Sequence, residues 1–249
     1  NRPALWVSLT PEQQEFQATK MSIHAAMVDR IDQEIGHLMQ QVRDMGQWEN
    51  TVVMFLSDNG ASAEILIRDD GHDPKASPGS ASTHLCLGPG WSTVSNTPFR
   101  RHKTWVHEGG IATPLILHSP KLVTTPGQLR HQPGHVIDLW PTLTGWAGVN
   151  DTPPPAGAPV RPGVAINVGA DFPSAKRDLW WFHEGNRAIR SGDMKLVAAR
   201  GKPWEMYDLT RDRAEQHDLS TSHPDKVREL NALWEQNWAE FQKHAQPPE

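Results

Sequence analysis

A short apolar run that ends abruptly in a polar turn constrains the fold more than any other feature of the chain. The run Val52-Val53-Met54-Phe55-Leu56 contains no polar residue and leads directly into Ser57-Asp58-Asn59-Gly60. A short segment that is apolar on both faces is typical of a strand in a sheet covered on both sides. The sequence therefore predicts an α/β fold with polar side chains at the end of a buried strand.

The segments around this strand predict helices and a second strand. Residues 10 to 46 begin with a capping threonine and a proline, so we expect one long helix with a buried apolar stripe. The stripe consists of Val28, Ile31, Ile35, Leu38, Val42 and Met45. Residues 61 to 98, rich in Gly, Ser, Pro and Asp, predict a long irregular excursion. Residues 111 to 117 predict a second strand in which Pro114 indicates an edge position or a bend, and residues 136 to 148 predict a short helix.

A proline-dense stretch, residues 150 to 162, predicts a boundary between two parts of the chain. We place residues 1–155 in one α/β domain, part of a mixed sheet flanked by helices, and residues 156–249 in a small subdomain. Four short strand-like runs in the second part predict an antiparallel meander, at residues 180–183, 187–190, 194–199 and 205–209. A helix after Pro224 has apolar residues at helical spacing and should pack on that small sheet.

Charge and composition argue against two classes of partner. The formal net charge is −5 and the basic residues are scattered, which is atypical of a nucleic-acid-binding surface. The longest apolar run is far shorter than the roughly 20 residues that a membrane-spanning helix needs. We therefore expect neither a nucleic-acid partner nor a membrane span.

Asp58 and Asn59 are candidate metal ligands, because ligand sites in open α/β sheets collect at the carboxyl ends of strands. Once the chain turns at Gly60, the two side-chain oxygens can converge on a hard cation such as Ca²⁺ or Mg²⁺. The alternative is an Asx turn, in which the side chain of Asp58 or Asn59 only caps the strand.

A local concentration of positive charge suggests an anionic substrate. The chain is acidic overall, but one short segment contains Lys103 together with four other basic residues: Arg100, Arg101, His102 and His107. By itself such a lysine is normally a solvated charge. Within the cluster, Lys103 is the main anion-binding candidate, and Arg100 and His107 are secondary candidates.

These residues resemble the sulfatase family of the alkaline-phosphatase superfamily. Its members have an apolar strand that ends in Asp-Asn-Gly, followed later by a lysine five residues before Glu-Gly-Gly, as Lys103 precedes Glu108-Gly109-Gly110 here. The resemblance covers most of residues 21 to 219. It implies an alkaline-phosphatase-like fold, Asp58 and Asn59 as ligands of Ca²⁺ rather than Mg²⁺, and Lys103 as a catalytic residue that holds a sulfate oxygen.

The resemblance also implies groups that these 249 residues do not contain. Family members use a formylglycine made within a Cys/Ser-x-Pro-x-Arg motif, and the one cysteine, Cys86, is followed by Leu-Gly-Pro-Gly instead. We therefore expect the formylglycine in an upstream segment and regard the chain as the C-terminal portion of a sulfate-ester hydrolase, inactive by itself. The expected partners are that upstream part of the same protein and a sulfated small molecule or glycan. The expected compartment is the periplasm or the exterior.

Two alternatives remain open at this stage. A phosphonate or phosphodiester hydrolase of the same superfamily could use a metal and a lysine in the same way, because both serve either anion. A noncatalytic module that binds sulfated glycans, or a purely structural fragment, would explain the missing nucleophile motif but would not need the metal-binding pair.

Overall fold

The long N-terminal helix forms as predicted, but its apolar stripe is exposed. The computed structural model describes residues 3–65, 72–149, 163–166, 168 and 177–245. Helix α1 spans Pro11–Asp44 and begins with a capping box, in which Thr10 Oγ1 accepts from Gln13 N and Gln13 Oε1 accepts from Thr10 N. Ile31 is 50% exposed, and Val28 and Leu38 are exposed as well. The predicted burial of this face is therefore not realised by the described residues.

The first strand also differs from the prediction in its burial. Strand β1 spans Val53–Leu56 and pairs with strand β2, Leu115–His118, in a two-stranded sheet. Phe55 is 50% exposed, so within the described chain β1 is not covered on both faces. An apolar run specifies that a strand can be covered, but it does not specify which segment covers it.

The region between the two strands contains more regular structure than the sequence suggested. Helix α2, Gly88–Ser95, lies within the predicted excursion, and Trp91 Nε1 in it donates to the Gln17 carbonyl of α1 at 2.8 Å. A short helix α3, Glu108–Ile111, contains the first residue of the predicted second strand, and β2 begins only at Leu115. Pro114 therefore precedes β2 instead of bending it.

Two compact units divide the chain. The first comprises the described residues of Asn1–Thr51, Phe55–Ile116 and Arg213–Gln216, and the second those of Val52–Met54, Leu117–Asp212 and His217–Glu249. The predicted domain boundary at residue 155 and the proline-dense linker lie outside the described residues. None of the described helices is both long and apolar enough to cross a membrane.

The second unit contains the predicted meander. Strands β3 Asp178–His183, β4 Asn186–Ser191, β5 Met194–Ala198 and β6 Glu205–Asp208 pair antiparallel in chain order, and helix α5, Pro224–His244, follows them. The fully buried core joins sheet and helix through Ile189, Leu196 and Leu230. Trp180 stacks on Trp234 with ring centroids 5.5 Å apart. The prediction that the last helix packs on the small sheet is confirmed.

A buried carboxylate organises the start of a further helix in this unit. Helix α4, Leu139–Trp146, follows a 3₁₀ turn, and Asp138 accepts hydrogen bonds from the Arg177 guanidinium and from the backbone amides of Val164 and His135. Burial raises the pKa of Asp138, but these hydrogen bonds outweigh it and hold the pKa below its ordinary value. Burial also lowers the pKa of His135.

Candidate functional site

The polar turn after β1, residues 57–61, is held by hydrogen bonds from side-chain hydroxyls to backbone carbonyls; we call it the Asp58 turn. Ser57 Oγ donates to the Asn59 carbonyl at 2.9 Å, and Thr113 Oγ1 donates to the Ser57 carbonyl at 2.8 Å. Asp58 is exposed and Asn59 is half-buried. No hydrogen bond connects either side chain to a residue in the part of the chain that the structure describes. Their oxygens are therefore directed to neither an Asx turn nor a nearby donor within that part.

Gly60 allows the Asp58 turn to approach helix α3 at backbone contact, and Gly109 and Gly110 allow α3 to pack against the backbone of residues 100–105. Gly60 N donates to the Gly110 carbonyl at 3.0 Å. A Cβ atom on Gly60 would lie 1.8 Å from the Gly109 oxygen, and one on Gly110 would lie 2.0 Å from the Trp105 oxygen. A Cβ on Gly109 would lie 2.4 Å from the oxygen of Arg101. The glycines of both sequence motifs are therefore required by close packing of two loops.

The segment that carries Lys103 forms a closed loop, residues 100–109, which we call the Lys103 loop. Gly109 N donates to the Arg100 carbonyl at 2.9 Å and closes the loop, while Lys103 N donates to the Ala61 carbonyl at 3.1 Å. The Lys103 loop is thus hydrogen-bonded to the Asp58 turn. The Lys103 side chain is exposed, and its ammonium has no hydrogen bond or ion pair to a described residue.

Asn96 is a supporting residue that sequence reasoning missed. Its side-chain oxygen accepts from Ala61 N at 2.9 Å, and its amide nitrogen donates to the Arg101 carbonyl at 3.2 Å. One side chain therefore connects the Asp58 turn to the Lys103 loop. No local pattern signals this role, because an asparagine before Thr-Pro is typical of an ordinary turn.

The secondary candidates, Arg100 and His107, contact each other. Arg100 Nη2 lies 3.3 Å from His107 Nε2, and Arg100 Nη1 donates to the Glu215 carbonyl at 2.8 Å. Because a guanidinium has no acceptor, His107 Nε2 must accept this hydrogen bond. His107 is fully buried and Arg100 is half-buried. His107 therefore lies in the protein interior, whereas Arg100 is partly accessible.

The oxygens of Asp58 and Asn59 fit part of a calcium site. A carboxylate and an amide oxygen on one turn are the hard donors that Ca²⁺ accepts, but Ca²⁺ takes six to eight such ligands. Among the described residues no cluster of three or more His, Cys, Asp or Glu side chains could hold a metal. The Asp58 turn thus carries two candidate metal-binding side chains, fewer than a complete calcium shell needs.

A comparison with protein-family models identifies the family of the chain that carries the Asp58 turn and the Lys103 loop. The family model named Sulfatase matches residues 7–149, a range that includes the Asp58 turn, the Lys103 loop and more than half of the chain. The chain belongs to the sulfatase family. Its relatives include a sulfatase of Schizosaccharomyces pombe, 30% identical over 92% of this chain and 45% of the relative.

Further comparisons agree with this assignment and show how much of a sulfatase the chain covers. The arylsulfatase of Klebsiella aerogenes is 34% identical over 69% of the chain and 39% of the relative. The sulfatase-family chain therefore spans less than half the length of these curated relatives. In fold it resembles the PsFucS1 sulfatase from Pseudoalteromonas sp., with a TM-score of 0.62 over 90% of this chain, 43% of that chain and 18% sequence identity. The predicted alkaline-phosphatase-like fold is confirmed by such neighbours.

Proposed function

We propose that this sulfatase-family chain contributes two calcium ligands and one sulfate-binding ammonium to the site of a sulfate-ester hydrolase. Asp58 and Asn59 would supply oxygens to the metal, and Lys103 would bind a sulfate oxygen. Calcium is favoured over magnesium because Ca²⁺ accepts carboxylate and amide oxygens in flexible geometry, whereas Mg²⁺ demands a near-ideal octahedron and retains waters.

The hydrogen bond from Lys103 N to the Ala61 carbonyl carries this proposal. It joins the segment of the anion-binding candidate directly to the turn of the metal-binding candidates. The two motifs are separated by more than forty residues in sequence, and yet their backbones are adjacent. A solvated lysine and an isolated Asx turn would give no reason for Gly60 to lie in backbone contact with Gly109.

The chemistry follows from the charges of these residues. A bound calcium would withdraw electron density from the sulfate oxygens. Lys103, exposed and without an ion-pair partner in the described chain, can compensate negative charge that grows on the sulfate oxygens and the leaving group. The nucleophile, by family resemblance a formylglycine, and the remaining calcium ligands would be supplied by another part of the same protein. Arg100 and His107 remain secondary candidates for contacts to the anion.

A phosphonate monoester hydrolase is the second candidate function. The enzyme of that name from Agrobacterium radiobacter shares the fold, with a TM-score of 0.50 over 88% of this chain at 17% identity. That likeness concerns the fold alone. The relatives named as sulfatases share more of the sequence, which favours a sulfate ester over a phosphonate ester.

The test compares two site variants with matched surface variants in the complete protein that contains this sequence. Lys103→Ala should lower kcat/KM for an aryl sulfate by about 10²–10³-fold, the usual effect of removing one preorganised donor. Asp58→Ala should raise the calcium concentration needed for half-maximal activity.

The controls remove the same charges elsewhere. Asp32 on α1 and Lys121 after β2 are both exposed, so Asp32→Ala and Lys121→Ala should keep wild-type kinetics and calcium dependence. Wild-type kinetics in Lys103→Ala, or unchanged calcium dependence in Asp58→Ala, would remove the corresponding residue from the site. Faster turnover of an aryl phosphonate monoester than of the aryl sulfate would favour the second function.

A further inference from the structure

Glu215 lies far from Lys103 in sequence but contacts both ends of the Lys103 loop. The segment Arg213–Gln216 belongs to the first unit, and Glu215 is fully buried. Its carboxylate oxygen Oε2 accepts from Glu108 N at 3.0 Å, and its carbonyl oxygen accepts from Arg100 Nη1 at 2.8 Å. Glu215 therefore forms hydrogen bonds with Arg100 and Glu108, which lie on either side of Lys103 in the loop.

We propose that Glu215 is a positioning residue that fixes the Lys103 loop against the Asp58 turn. The inference rests on the proposed role of Lys103 and extends it. Glu215 does not touch the anion in this account. Its hydrogen bonds with Arg100 and with the amide of Glu108 fix the loop backbone, and the loop backbone determines the position of the Lys103 ammonium.

The buried Glu215 carboxylate lies among hydrogen-bonding and charged groups. A buried carboxylate is costly unless hydrogen bonds and opposite charge compensate it. Two arginines lie near Glu215 and the buried Glu108. Arg100 donates to the Glu215 carbonyl, and Arg213 Nη2 lies 3.3 Å from Glu108 Oε2. The Arg213 guanidinium also covers the Phe99 ring at 4.6 Å. The directed hydrogen bond from Glu108 N to Glu215 Oε2 therefore specifies the position of the loop more sharply than apolar packing would.

The backbone of the loop requires such external support. Arg101 and Thr104 flank Lys103 with φ angles of 73° and 86°, and Glu215 itself has φ 55°. Left-handed conformations of residues other than glycine persist only where the surrounding structure overdetermines them. Without the Glu215 carboxylate, the Glu108 end of the loop loses a directed bond. The strained residues beside Lys103 can then relax.

A small shift of Lys103 should affect turnover more than substrate binding, because the ammonium is needed most as charge develops in the transition state. In the complete protein, Glu215→Gln retains an oxygen that can accept from Glu108 N, so kcat should stay within about threefold of wild type. Glu215→Asp withdraws the acceptor by one methylene group, so kcat should fall about tenfold or more with a smaller change in KM. The opposite order, a normal Glu215→Asp and an impaired Glu215→Gln, would show that only the charge matters and would overturn the proposal.

A double variant tests whether Glu215 acts through Lys103. If it does, Lys103→Ala/Glu215→Asp should have the kcat of Lys103→Ala alone, because the second change can only misplace a group that is already gone. Multiplicative losses would refute the coupling. Failure of the proposed function gives a different result, since Lys103→Ala by itself would then keep wild-type kcat.

Hydrogen exchange provides a readout that does not depend on activity. Glu215→Asp in the complete protein should increase exchange at the amides of Lys103 and Gly109, which donate hydrogen bonds to the Ala61 and Arg100 carbonyls. Exchange in β4 and β5 should not change. As a control, Asn237→Ala removes a fully buried polar side chain of α5, and should affect α5 but not the Lys103 loop. Unchanged exchange at Lys103 and Gly109 in Glu215→Asp would overturn the positioning role.

Discussion

Replacing Gly60 by alanine tests the close approach of the two loops that form the candidate site. The added methyl group would lie 1.8 Å from the Gly109 oxygen and 2.8 Å from the Gly109 carbonyl carbon. Both atoms belong to the backbone, so no side chain can rotate away to make room. The Asp58 turn and helix α3 must therefore separate, or the variant must distort one of them.

The structure gives the size of the effect. Ordinary contact begins at 3.4 Å, so the loops must separate by about 1.6 Å along this direction. This displacement breaks the hydrogen bond from Gly60 N to the Gly110 carbonyl, worth about 1 kcal/mol. Overpacking adds about 1–3 kcal/mol. Because the Asp58 turn also shifts relative to Lys103, turnover should fall by about 10²-fold, as expected for a displacement of about 1 Å or more.

The measurement combines denaturant unfolding, followed by tryptophan fluorescence, with aryl sulfate kinetics of the complete protein. Gly36→Ala is the matched control, because Gly36 lies within α1 and a methyl group added there would meet no atom within 4 Å beyond the adjacent helix backbone. It should stabilise the helix by about 1 kcal/mol and leave turnover unchanged. If Gly60→Ala retained wild-type stability and turnover, the backbone contact between the two loops would not exist as described.

Three further results are expected. Asp138→Asn should lower the free energy of unfolding at pH 7 by about 3 kcal/mol, because it weakens a buried ion pair. Since the pKa of Asp138 is lowered in the folded state, the stability that Asp138 contributes should be present above about pH 4 and disappear as the pH falls through the folded-state pKa. Unfolding of the wild type and of Asp138→Asn at a series of pH values measures this difference. Lys103→Arg should recover only part of the activity lost in Lys103→Ala, because arginine keeps the charge but changes reach and donor geometry; full recovery in steady-state kinetics would mean that charge alone suffices. The 249-residue chain by itself should neither cleave aryl sulfate nor bind calcium tightly, and it should associate through the exposed faces of α1 and β1. A monodisperse monomer in light scattering that is also active in the aryl sulfate assay would contradict this.

The sequence by itself determined the local elements where a periodic pattern coincided with a stop signal. Helix α1 follows from Thr10, Pro11 and apolar residues at helical spacing, and the meander β3–β6 follows from short strand-like runs separated by turns such as Gly192, which has φ +60°. Helix α2 was missed because Gly88-Pro89-Gly90 at its start is a sequence typical of loops. Patterns of this kind report local preference, and α2 is held partly by the distant Trp91 contact to α1.

Some features of the candidate site could likewise be predicted from the sequence, and others appear only in the tertiary structure. The sequence made Asp58, Asn59 and Lys103 candidates, because hard oxygens after a strand and a lysine among basic residues have recognisable chemistry. Only the tertiary structure showed why Gly60 must be a glycine, that Asn96 connects the two loops, and that Glu215 holds the Lys103 loop from more than a hundred residues away. These roles arise from contacts between distant segments, and a hydrogen bond between distant residues leaves no periodicity or spacing in the sequence by which it could be found.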